Sequence, residues 1–158
     1  MSAPAPTLNS DLVAVAWVAS IPRVAVLAAS PPIAGSVPAQ PTSWALTGFL
    51  ELLTTGGSPH PEYRQRRPVV TVFAWAVKIG SKKPPWSQAA RLAEYVFDAC
   101  YDEQLAHQLF PNITAEGVHY PTAQVQEISA ISEPRKIPND PAGYARYTFD
   151  FEMLWVQP

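Results

Sequence analysis

The side chains able to carry chemistry are few and scattered. His60, His107 and His119 stand far apart, with no HExxH pattern and no second histidine at helical spacing, so no metal-ligand set is visible. Cys100, the single cysteine, falls on the apolar stripe of a helical pattern, where a thiol acts as a small hydrophobe and a nucleophile would be buried. Gly56-Gly57 lacks the flanking glycines and lysine of a phosphate-cradling loop and reads as turn chemistry. Asp150 and Glu152 project two residues apart from the same side of a strand pattern. Acid–base pairs of that kind usually come from different elements around a cleft, so this pair reads as a solvated or subunit-facing surface. Arg64, Arg66 and Arg67 are the densest charge in the chain. They fit either a solvated loop tip or a docking element whose guanidinium groups meet carboxylates in planar pairs. No catalytic residue, cofactor or metal is expected.

Composition narrows the classes further. The chain has 158 residues, 47% of them hydrophobic and 15% charged, against roughly 25% charged in an average soluble domain. That is enough for a single domain with a sizeable core. A formal charge of −2 and a pI near 5.9 argue against a nucleic-acid binder held by a broad basic surface. Proline, at 18 residues, is far above average, yet proline and glycine together stay below the share that marks low complexity, so disorder is not the expected main state. One cysteine permits neither an intramolecular disulfide nor a zinc module, which points to an intracellular origin. The apolar stretch from Leu12 to Ala29 has no Lys or Arg before it and is broken by Pro22-Arg23, so neither a secretory signal nor a membrane span is expected.

Because proline breaks helices and cannot donate to a strand ladder, the stretches without it are the candidate elements, with every proline outside them. Asn9 and Ser10 can cap a helix from Asp11 to Ile21, which Pro22 stops. Arg23 to Ala29, with Val24 and Val26 alternating, reads as a short strand, and Ser30 to Pro41 as a loop. Residues 1–9 read as a flexible arm. Trp44 to Leu53 and Val69 to Lys78 read as strands of a hairpin with a connection of about fifteen residues, Thr54 to Pro68, long enough to suggest a function. An amphipathic helix begins at Trp86, carries Ala89, Ala93, Val96, Phe97 and Cys100 on one side, and extends to about Phe110. Thr122 to Ser132 reads as a partly exposed strand. From Ala145 onward the alternation is strict: Ala145, Tyr147, Phe149, Phe151, Met153 and Trp155 on one side, Arg146, Thr148, Asp150 and Glu152 on the other. The expectation is one α+β domain spanning 1–158, with a mostly antiparallel twisted sheet of four to five strands flanked by two main helices.

The order of these segments resembles a known family. A strand, Trp44-Ala45-Leu46-Thr47-Gly48-Phe49-Leu50-Glu51-Leu52-Leu53, runs into Thr54-Thr55-Gly56-Gly57. Then come Arg67-Pro68-Val69-Val70-Thr71-Val72-Phe73-Ala74-Trp75-Ala76, a helix with Ala89-Ala90-Arg91-Leu92-Ala93, and a closing strand with Arg146-Tyr147-Thr148. This series resembles the tail terminator (tail completion) proteins of long-tailed bacteriophages and covers about Asp11 to Val156. The Ser30–Pro41 linker and the Lys82-Lys83-Pro84-Pro85 insertion depart from the pattern. The resemblance implies a non-enzymatic virion protein of the tail or neck, assembled in the host cytoplasm. It implies a homo-oligomeric ring, a hexamer, that caps the tail tube and ends its polymerisation. Its partners would be the major tail tube protein and the head–tail connector or stopper, with DNA passing through the lumen unread and no membrane involved. On the same reading Arg64, Arg66, Arg67, Asp150 and Glu152 are candidate subunit or partner contacts. Another neck ring, a stopper or adaptor, is the alternative; a small enzyme would need clustered titratable groups that the sequence does not offer.

Overall fold

A computed structural model describes residues 4, 6–27, 33–36, 38 and 40–158. Its organising element is the last strand, β10 (Ala145–Val156), whose alternation fixes two faces. Phe149, Phe151 and Met153 are fully buried and Trp155 nearly so. β10 pairs antiparallel with β4 (Pro68–Ala76) on one side, from Ala145↔Ala76 to Glu152↔Val69. On its other side lie β8 (Ala123–Ala130) and the two-residue β9 (Arg135–Lys136), while β3 (Gln65–Arg66) pairs with Trp155 and Val156. β2 (Phe49–Gly57) forms a hairpin with β4, β1 (Ile33–Ala34) joins β2 in parallel, and β5 (Gln108–Phe110) closes the far edge against β8. A separate small hairpin joins β6 (Thr114–Ala115) to β7 (Val118–His119).

The α+β class stands, but the element count does not. Among the described residues the sheet has eight strands, is mixed and curls into a half-barrel, and four helices accompany it. The four-to-five-strand sheet with two helices is therefore corrected. The added strands are two or three residues long, too short for alternation to register. The expected strand from Arg23 is instead a helical turn, α2 (Pro22–Ala25). Pro22 occupies its first position, where a fixed φ suits a helix and the missing N–H is not needed. Residues 28–29 of that expected strand lie outside the described residues, as do 30–32, 37 and 39 of the linker and 1–3 and 5 of the arm. Pro68 likewise opens β4 rather than lying outside it, at the position where a strand tolerates proline.

α1 (Ser10–Ser20) starts where expected, with Asn9 Oδ1 accepting the Leu12 N–H. α3 (Trp86–Ala99) is shorter than the sequence suggests. After it the chain tightens, with the Cys100 N–H donating to the Phe97 carbonyl. Asp102 then caps a new turn, α4 (Glu103–Ala106), by accepting the Gln104 N–H. Both long helices cover the same sheet face. The Trp17 ring lies 5.2 Å from Phe151, and Phe97 meets Phe149 edge-on at 5.7 Å. Leu8, just ahead of α1, is also buried in this core.

Trp17 joins three elements: fully buried, it packs on β10 and donates its indole N–H to the Leu105 carbonyl at 2.8 Å, holding α4 against α1. Replacing it by alanine removes a large core side chain and orphans a carbonyl, so Trp17→Ala is expected to cost about 3–5 kcal/mol in denaturant unfolding. A loss below about 1 kcal/mol would contradict this packing account.

Candidate functional site

The sheet face away from the helices is half-open and carries the residues with the most to offer. β10 contributes Arg146, Asp150 and Glu152 to it, β4 contributes Val69, Thr71, Phe73 and Trp75, and β2 contributes Glu51 and Leu53. Most of these polar groups are paired with one another. Asp150 accepts from the Thr71 hydroxyl at 2.6 Å, and the Asp150 backbone N–H donates to Ser132 Oγ at 2.9 Å. Arg67 Nη1 donates to Glu152 Oε1 at 2.8 Å, with Glu127 3.9 Å from the same guanidinium.

Two of the sequence candidates, Arg67 and Glu152, are thus brought together, and Asp150 lies beside them on the same strand. Arg66 takes another route, its guanidinium lying 5.3 Å over the Trp155 ring. Arg64 is exposed at the hairpin tip and, among the described residues, has no carboxylate in ion-pair range. The basic cluster is therefore divided: two arginines fasten the loop to the sheet and one projects from it.

The tip has a built shape. His60 Nδ1 accepts the backbone N–H groups of both Glu62 and Tyr63 at 3.1 Å, and its ring packs on Tyr63 with centroids 4.7 Å apart. That pattern requires an unprotonated Nδ1. Tyr63 remains 65% exposed. At the base of the loop Gly57 has φ +120°, and a Cβ there would meet the Arg67 carbonyl oxygen, so the second glycine of the pair is required by close backbone approach.

The Ala145 end of the open face holds a group that sequence reasoning did not single out. Arg146 lies over Trp75 at 4.6 Å and Phe73 at 5.5 Å, and its Nε is buried with no hydrogen-bond partner among the described residues. Trp75 donates its indole N–H to Glu51 at 3.2 Å and meets Tyr144 edge-on. The signal was available: β4 alternates so that Phe73 and Trp75 fall opposite Val70, Val72 and Ala74, leaving large aromatics on the side without a helix.

Other candidates do not converge. Cys100 is buried, and burial pushes its thiol up to about 12. Glu94 is raised by partial desolvation and by the Asp98 and Glu133 carboxylates, but it faces solvent on the other side of α3. A groove of about 400 Å³ between α1, β1 and the β5–β6 connection includes Leu12, Val15, Ile33, Phe110 and Ile113 in its lining, with no titratable side chain. Among the described residues no three His, Cys, Asp or Glu side chains gather as a metal site, and no helix is long and apolar enough to cross a membrane. No protein-family model matches the chain, and no curated protein matches it.

The Arg67 tether is partly exposed, so Arg67→Ala is expected to change global stability by less than about 1 kcal/mol. Its effect should be local. Backbone hydrogen exchange in residues 58–66 should accelerate while the α3 amides stay protected, and an unchanged loop would contradict the tether. Cys100 should resist thiol reagents in the folded protein near neutral pH. Its raised pKa contributes stability that is full below about pH 8.5, the usual thiol value, and is lost as pH climbs toward about 12. Thiol labelling of native against unfolded protein checks this; rapid native labelling would contradict the burial.

Proposed function

We propose that this chain is a structural tail-completion protein of a long-tailed bacteriophage. Copies of it form a ring, a hexamer by family resemblance, that caps the tail tube, ends its growth and meets the head-side connector. The observation that carries the reading is a protomer with unlike surfaces at opposite ends of the sheet: an exposed hairpin tip beside Trp155 at one end and, on the open face at the other, an aromatic-backed cation. Unlike surfaces on one molecule are what a head-to-tail contact needs, and such contacts close into rings when the rotation permits. The motif series supports the same reading, because the Gly-Gly strand end, the Phe73-Ala74-Trp75 strand and the Arg146-Tyr147-Thr148 strand are the elements that build this face.

Charge fits the role as well. A net charge of −2 leaves little basic surface to grip a passing duplex. The scattered titratable groups and the uncharged groove favour assembly over catalysis.

Deleting the gene tests the proposal. The expected result is tails of unregulated length that fail to join heads, with both defects repaired by supplying the chain in trans. Tails of normal length without heads would point to a neck stopper or adaptor, and normal virions would overturn a tail role. Of the three arginines Arg64 alone lacks an ion-pair or ring partner among the described residues, so Arg64→Ala should lower the yield of completed tails more than Arg66→Ala does; equal yields would contradict its contact role.

A further inference from the structure

The hairpin tip and the Trp75–Arg146 end of the open face are complementary in charge. At the hairpin tip an exposed tyrosine, Tyr63, is flanked by an acid, Glu62, and a base, Arg64. At the far end an indole, Trp75, is flanked by a base stacked upon it, Arg146, and by an acid bonded to its N–H, Glu51. Neither Glu62 nor Arg146 has an ion-pair partner among the described residues. The two ends cannot meet within one chain. The tip is anchored beside Trp155 and Val156 by β3, and Arg146 lies nine residues back along the same strand, a separation of roughly 30 Å.

We propose that the hairpin tip of one copy docks on the Trp75–Arg146 end of the next copy, with Glu62 meeting the Arg146 guanidinium, Arg64 meeting Glu51, and Tyr63 covering the aromatic surface between them. The proposal deepens the ring reading above and rests on it. Several observations favour a second copy over a nucleic-acid phosphate chain. Arg146 is stacked on aromatic rings and, among the described residues, has no carboxylate in ion-pair range, which suits a single planar carboxylate. A polyanion reaching it would also have to run past Glu51, Asp150 and Glu152. The tip, for its part, arrives already folded by the two hydrogen bonds to His60, so little order is lost on docking. The contact is heterologous, because different patches of identical chains meet.

Cross-linking tests the contact. A chain carrying both Glu62→Cys and Arg146→Cys is treated with a short bis-maleimide; Cys100, buried, should not react. The expected product is a ladder rising one subunit at a time and ending in a single closed species, with neither single-cysteine variant giving more than dimers. A double variant that yields no more than the single variants overturns the contact, and product that stops at the dimer overturns its head-to-tail geometry. Charge reversal supplies a second readout in sedimentation. Glu62→Arg, on an exposed loop where folding is not at issue, should weaken self-association roughly tenfold, and adding Arg146→Glu should restore it. Association untouched by Glu62→Arg overturns the charge pairing. A normal ladder from a chain whose gene deletion leaves virions normal would overturn the tail role and leave the contact standing.

Discussion

Nearly everything in this protein hangs on the pairing of β10. It is the longest strand, it lies between β4 and β8, and it also holds the short strands β3 and β9. One of its sides supplies the rings that α1 and α3 pack against, Phe151 for Trp17 and Phe149 for Phe97. Its other side supplies Arg146, Asp150 and Glu152 to the open face. A shift of one residue in its register would exchange the two sets, placing carboxylates against Trp17 and phenylalanines in water. The burial of aromatic rings on one side therefore fixes the spacing of the charged groups on the other.

That dependence explains what could be read from the chain. β10 and β4 were legible because each runs long enough for alternation to register, and α1 was legible from the Asn9 cap; β2 was legible only in part, since it runs Phe49–Gly57, later than the expected Trp44–Leu53 and into the expected loop. The short strands were not, since two residues such as Ile33-Ala34 or Arg135-Lys136 carry no period and exist only because a long neighbour offers unpaired backbone groups. The Val24 and Val26 alternation misled because Pro22 preorganises a helical turn, a local preference that outweighed a two-residue pattern. The end of α3 was misplaced for a related reason: Asp102, extended at the break, caps a separate turn, and apolar spacing alone does not record the interruption.

The functional residues divide in the same manner. Arg64, Arg66 and Arg67 stand out in sequence as one charge cluster, yet the fold gives them separate work, because Glu152 and Trp155 present themselves to two of them from a strand more than 80 positions away. In sequence Arg146 enters only as part of the Arg146-Tyr147-Thr148 run and as one polar residue among several on an alternating strand, not as a contact residue. It acquires meaning only when β4 sets Phe73 and Trp75 beneath it. Proline and glycine complete the picture, with Pro68 opening β4 and Gly57 permitting the close return of the chain that aims the hairpin tip.

On the proposed function, the hairpin tip and the Trp75–Arg146 surface join copies of this chain into a ring at the end of a phage tail. An electron cryomicroscopy map of the head–tail junction tests it most directly. The expected map holds a closed ring of this chain on the last tube layer, with each 58–64 tip lying on the Trp75 and Arg146 surface of its neighbour. A junction without the chain, or a ring whose tips point into solvent, would contradict it.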